Sequence, residues 1–151
     1  MVAFIYRMPG GIAGDISRME WSKVEPHPMN GTTPVTVFGV PVQEVTGTIE
    51  PCSTGAVPMG FLVRPYPTQY TTSEALGTAT PDKTKPANVM VSGYMTVLNT
   101  AGTPTAGGAV YYNNTTGYVE AYTGGSQTAV SGCHFMGVAD ADGNVEIGYN
   151  I

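Results

Sequence analysis

In the closing stretch of the chain, Val145, Ile147, Tyr149 and Ile151 occupy every second position, with Glu146, Gly148 and Asn150 between them. Successive side chains of an extended strand point to opposite faces, so this alternation sends the apolar residues to one face of a sheet. The preceding segment, 133–139, is joined to it by Asp140-Ala-Asp-Gly-Asn144, and Asp142-Gly143 offers the positive backbone angle of a tight hairpin. Two antiparallel strands, 133–139 and 145–151, are therefore predicted, the second running to Ile151.

The same punctuation recurs upstream. Pro41 and Pro51 end the apolar runs 35–40 and 42–50, and 58–64 forms a further run. In 89–98, Val89, Val91, Met95 and Val97 share one parity and Ser92 and Thr96 the other. Residues 109–112 and 118–122 flank the five-residue loop 113–117 as a hairpin. Residues 99–108 and 124–132 read as turns rich in small and polar residues, 24–31 as a proline-rich connector, and 80–86 as a solvated charged loop. Five or so strands separated by Gly, Pro and Asn turns predict an all-β single domain, a sandwich or jelly-roll-like barrel spanning 24–151. A short helix is predicted within 71–79.

Residues 1–23 are predicted to form an extended N-terminal arm. A short strand, 1–6, precedes Pro9 and a cluster of glycines that forbid a stable helix. Residues 15–21 can close one helical turn with Asp15 as its cap. Met8, Ile12, Ile16 and Trp21 give the arm an apolar content that needs covering. It either docks onto another subunit or forms an internal edge strand of its own.

Charge is scarce. Six basic and 11 acidic residues amount to 11% of 151, against roughly 25% in an ordinary soluble domain. Nine Tyr and eight Met stand against three Lys. Protein interfaces are depleted in charge and enriched in Tyr and Met, so much of this surface is predicted to be covered by other subunits. A net charge of −5 and scattered cations argue against nucleic acid, whose phosphates need clustered Lys and Arg. No apolar run approaches membrane-spanning length, and no basic-then-apolar leader opens the chain. No membrane partner is expected.

No catalytic, cofactor or metal constellation emerges. Asp140, Asp142, Asn144 and Glu146 alternate like calcium ligands, but the spacing is not that of an EF-hand, and acidic residues are ordinary turn formers. His27 lies between prolines, and Cys133 and His134, adjacent on a strand, point to opposite faces and cannot pair as nucleophile and base. Cys52 and Cys133 make no metal spacing and are predicted to be buried free thiols, a disulfide requiring an oxidising compartment. The glycines of 9–14 lack the Lys-Ser/Thr of a phosphate loop. Asn30, Asn113 and Asn114 match the glycosylation pattern but read as turn residues. Tyr111, Tyr112, Tyr118 and Tyr122 crowd one hairpin; they are either core and interface residues or a platform on which sugar rings stack.

Four segments, 8–18, 92–97, 107–111 and 135–147, resemble the small cement or decoration proteins of tailed-bacteriophage capsids. The resemblance lies in Met8-Pro-Gly-Gly-Ile-Ala-Gly-Asp-Ile-Ser-Arg18, Ser92-Gly-Tyr-Met-Thr-Val97, Gly107-Gly-Ala-Val-Tyr111 and Phe135-Met-Gly-Val-Ala-Asp-Ala-Asp-Gly-Asn-Val-Glu-Ile147. It implies a jelly-roll-like domain, made in the host bacterial cytoplasm and bound to the outer surface of an icosahedral shell. There, as a homodimer or homotrimer, it would bridge neighbouring major capsid subunits against genome pressure. Arg7, Met8, Ile12, Asp15 and Arg18 of the arm, with Tyr66 and Tyr70 of the stiff loop 65–70, are the candidate contacts. The alternative is a carbohydrate- or receptor-binding module of a virion.

Overall fold

A computed structural model describes residues 11–65 and 79–151. The strand expected at 1–6 and nearly all of the helix expected at 71–79 lie outside them. The described chain has a 3-10 turn, Met19–Trp21, and nine strands: β1 (Lys23–His27), β2 (Pro41–Val45), β3 (Thr48–Pro51), β4 (Gly60–Leu62), β5 (Ala87–Leu98), β6 (Ala109–Asn113), β7 (Val119–Glu120), β8 (Gln127–Phe135) and β9 (Asn144–Tyr149). They pair antiparallel in the order β3-β2-β4-β5-β9-β8-β6-β7, with β1 also on β5. The product is a curled all-β half-barrel.

The closing hairpin forms as its alternation dictates. Cys133, His134 and Phe135 pair with Tyr149, Gly148 and Ile147, and Val145, Ile147 and Tyr149 are buried. The strand nevertheless stops at Tyr149. Asn150 adopts a φ of 50°, its N–H donates to Gly132 O, and its amide donates to Val91 O. Ile151 is thereby turned back over Gly148 and left 55% exposed.

β5 is the axis of the fold. Its first half is flanked by β1 and β4, its second by β9. The two halves do not keep one parity. Met90, Met95 and Val97 enter the larger core with Phe61, Tyr112, Phe135 and Ile147, whereas Val89 and Val91 face a second cluster with Val35, Phe38, Val42 and Ile49. The phase shift falls at Gly93, whose φ of 127° is a conformation that L side chains rarely adopt. The shared parity of Val89, Val91, Met95 and Val97 predicted from the sequence is therefore corrected. Counting by twos cannot see a glycine that resets the count.

Four further boundaries differ from expectation. Residues 24–27 of the predicted connector belong to β1, which tolerates Pro26 because an edge strand leaves one row of backbone groups unpaired. The β-branched run 35–40 is not a strand, although Val35, Phe38 and Val40 are buried. It closes on Gly39, and a Cβ there would lie 2.7 Å from Gly14 N. Residues 42–50 are two strands rather than one, reversed at Thr46-Gly47, whose φ values of 50° and 83° make a tight hairpin. Residues 127–132, predicted as turn, begin β8.

Candidate docking surface

Residues 11–22 lie along the edge of β5. Gly14 N–H donates to Thr96 O, Thr96 N–H to Asp15 O, and Ser17 N–H to Tyr94 O, at 2.8, 2.9 and 3.1 Å. Ile16 forms a bridge with Met95. Gly14 is held from its other side as well, its carbonyl accepting from Arg64 N–H at 2.8 Å. Only glycine fits here: with a φ of 93°, an added Cβ would lie 2.7 Å from the Cβ of Phe38. This part of the arm thus takes the internal-edge alternative weighed from the sequence.

Of the candidate contacts, the structure describes three; Arg7, Met8, Tyr66 and Tyr70 lie outside the described residues. Asp15 does not cap a helix. Its carboxylate accepts from Ile12 N–H at 3.2 Å, closing the turn that leads into the β5 edge, and Ile12 is half-buried. The helical turn begins later, at Met19, and Arg18 before it provides no side-chain cap.

Arg18 is occupied within the subunit. Its Nε and Nη2 donate to Glu146 Oε1 and Oε2 at 3.1 and 2.8 Å, and Ser17 Oγ donates to the same carboxylate at 2.6 Å. The guanidinium also lies 4.1 Å over the ring of Tyr94. The hydrogen bonds to Glu146 hold the Arg18 pKa above its ordinary value, opposed by slight desolvation. Arg18 and Asp15 therefore order the segment internally, and Glu146 is committed to it. Asp140, the first residue of the calcium-like pattern, accepts from Asp142 N–H and Asn144 N–H as an ordinary turn residue. Among the described residues no three His, Cys, Asp or Glu side chains gather as a metal site.

The ordered segment presents apolar groups that the sequence did not single out as contacts. Met19 is 78% and Trp21 69% exposed, and Val24, three residues on in β1, is exposed too. A three-residue turn has no periodicity from which to read a face; the usable signal was a Trp in a segment too short to bury it. Ser22 fixes the exit, its hydroxyl donating to Arg18 O at 2.8 Å and accepting from Tyr94 N–H at 3.2 Å. On β1, Lys23 and Glu25 form an exposed pair at 2.6 Å. The hydrogen bond from Lys23, its charge and that of His27 hold the Glu25 carboxyl below its usual range. The result is two exposed apolar side chains on a hydrogen-bonded turn, followed on β1 by a compensated charge pair, a composition that suits an interface.

The tyrosine hairpin divides. Tyr112 is fully buried, its hydroxyl donating to Ser53 O and Ala56 O, and Tyr118 packs against the second core. Tyr111 and Tyr122 form a ring pair with centroids 5.2 Å apart. Cys52 and Cys133 are both buried free thiols. Burial pushes the Cys52 pKa to about 12 and raises that of Cys133 as well.

A family model described as XM1 gp53 minor capsid protein matches residues 1–149. No curated protein matches the chain. Among solved structures, a chain from the capsid of Myoviridae phage XM1 superimposes with a TM-score of 0.70 over 98% of this chain and 95% of its own. The two are 18% identical, so the likeness is one of fold.

Proposed function

Because the chain belongs to the XM1 gp53 minor capsid protein family, we propose that it is a structural virion protein that attaches to the outer surface of a phage capsid. It acts as an oligomer and bridges neighbouring major capsid subunits. Family membership carries the capsid-associated structural role. The exposed Met19 and Trp21, on a turn that follows the Arg18, Ser17 and Glu146 contacts, support this segment as the attachment surface.

The energetics favour this surface. The backbone that carries the exposed Trp and Met is already hydrogen-bonded, so binding orders only their side chains, and burying each removes a large apolar area from water. A weak contact of this kind becomes firm when several copies engage a lattice at once, because later contacts are intramolecular. The low charge of the chain agrees with a surface largely covered in the particle.

The test is addition of purified protein to shells assembled without it, followed by sedimentation. The Met19→Ser/Trp21→Ser double variant is expected to keep the wild-type circular dichroism and melting temperature while failing to cosediment. A folded double variant that coats shells like the wild type would remove this surface from the attachment site.

A further inference from the structure

At a separate place in the fold, Tyr111 on β6 and Tyr122 just beyond β7 wall an open groove of about 260 Å³, whose other walls include Thr103, Pro104, Thr105 and Ala109. Tyr122 is 68% exposed, and its ring is tilted 44° against that of Tyr111. The hydroxyls of Thr103, Thr105, Tyr111 and Tyr122 engage no hydrogen-bond partner among the described residues. No side chain lining the groove is charged.

From these features we infer that the groove binds a neutral hexopyranose unit of an oligosaccharide. A pyranose ring is two-sided: its axial C–H groups form an apolar face, and its rim carries hydroxyls that both donate and accept. An exposed tyrosine face supplies the apolar match, the electron-rich side of the ring meeting the polarised C–H groups. The threonine and tyrosine hydroxyls, able to donate and accept alike, suit the rim. The lack of charge selects against sialic acids, uronic acids and phosphorylated sugars, whose anions would be desolvated without a partner. The opening to solvent lets the rest of a chain run out on either side, so one residue of a longer glycan is read. Tyr112 and Tyr118 take no part, since the first is fully buried and the second packs against the other core cluster. The groove lies apart from Met19 and Trp21, the proposed attachment surface.

Ligand-observed saturation-transfer NMR on the full chain tests it, with cellotetraose, maltotetraose and N,N′,N″-triacetylchitotriose as probes. At least one is expected to receive saturation at its ring C–H protons. Tyr122→Ala is expected to weaken that binding about tenfold or more, whereas Tyr122→Phe keeps it, because the ring face is the contact. Thr103→Val is expected to weaken it by a smaller factor through loss of one rim contact. Tyr122 is exposed, so its replacement leaves the fold intact, which the melting temperature checks. No transfer to any of the three probes overturns the proposal, as does transfer that persists unchanged in Tyr122→Ala. Loss of shell addition in Tyr122→Ala without any sugar signal would make the groove a protein contact and would likewise overturn it.

Discussion

Arg18 and Glu146, 128 positions apart in the chain, meet through two parallel hydrogen bonds of 3.1 and 2.8 Å. The contact ties the N-terminal segment to β9 across the strand that separates them, β5. A fork of donors on a planar carboxylate fixes orientation as well as distance, which a lysine at the same place would not do. The exposed turn that follows inherits that fixity.

Loss of this pair is expected to act on order more than on global stability. The Arg18 side chain is 44% exposed, and solvent screening limits such a pair to about 1 kcal/mol. Arg18→Ala should therefore move the urea midpoint slightly, yet accelerate amide exchange at Ser17 and Trp21 markedly. Arg18→Lys should restore charge without restoring protection. Unchanged exchange in Arg18→Ala would show that the backbone bonds to β5 suffice.

Removing residues 1–18 is expected to destabilise the domain rather than clip a loose arm. Gly14, Asp15 and Ser17 satisfy backbone groups of Thr96 and Tyr94, and Gly14 also accepts from Arg64. Leaving such groups without partners costs about 1–3 kcal/mol each where they are buried. Urea denaturation of the truncated chain should show a loss of several kcal/mol. A truncation as stable as the full chain would mean that solvent replaces these partners freely.

Gly93→Ala is expected to be among the most damaging single changes. A Cβ there would lie 2.3 Å from Ser22 Oγ and 2.5 Å from its Cα, and the backbone angle itself disfavours a side chain. The loss should reach about 2–4 kcal/mol, with the Ser22–Tyr94 contact broken. Thermal unfolding gives the magnitude, and the Tyr94 amide shift reports the contact.

Stability is expected to fall as pH rises above 9. The ordinary thiol value is 9.0, and burial lifts Cys52 to about 12 and raises Cys133 too. Below pH 9 folded and unfolded chains both keep these protons. Above it the unfolded chain loses them first, so each thiol lowers stability by about 1.4 kcal/mol per pH unit until its folded value is passed. Tyr112 and Tyr149, also raised by burial, add to the decline from pH 10 upward. Cys52→Ala/Cys133→Ala should flatten the slope between pH 9 and 10, whatever it does to the baseline. An equal slope in the double variant would assign the decline elsewhere.

Tyr112→Phe is expected to cost about 1–2 kcal/mol, since it takes the hydroxyl from Ala56 O and leaves Ser53 O with only the Ala56 N–H. Shell addition should survive it. Denaturation and cosedimentation of the same preparation separate the two effects.

What the sequence determined by itself is the class of fold and its closing hairpin, because period-two alternation and Asp-Gly turns are local properties and β9 obeys both. The buried state of the two thiols and the split of the chain into many short strands were legible for the same reason. The capsid family was legible too, through segments at both ends. The positions where reading failed all fall at a glycine. Gly93 resets the parity of β5, Thr46-Gly47 divides one apparent strand, and Gly39 turns the run 35–40 into core without making it strand. Gly93 and Gly39 are decided by what distant segments bring against them, Ser22 and Gly14, whereas Gly47 meets nothing and Thr46-Gly47 is a local turn inside an apolar run. The proposed docking surface also depends on distant partners. Arg18 and Asp15, named as candidate contacts, are bonded within the subunit to Glu146 and Ile12 N–H, and Trp21, named as needing cover, is left 69% exposed. Which polar group is free and which apolar group is bare are properties of the packed chain. Only the tertiary structure could decide them, because solvent exposure depends on distant partners that no local pattern names.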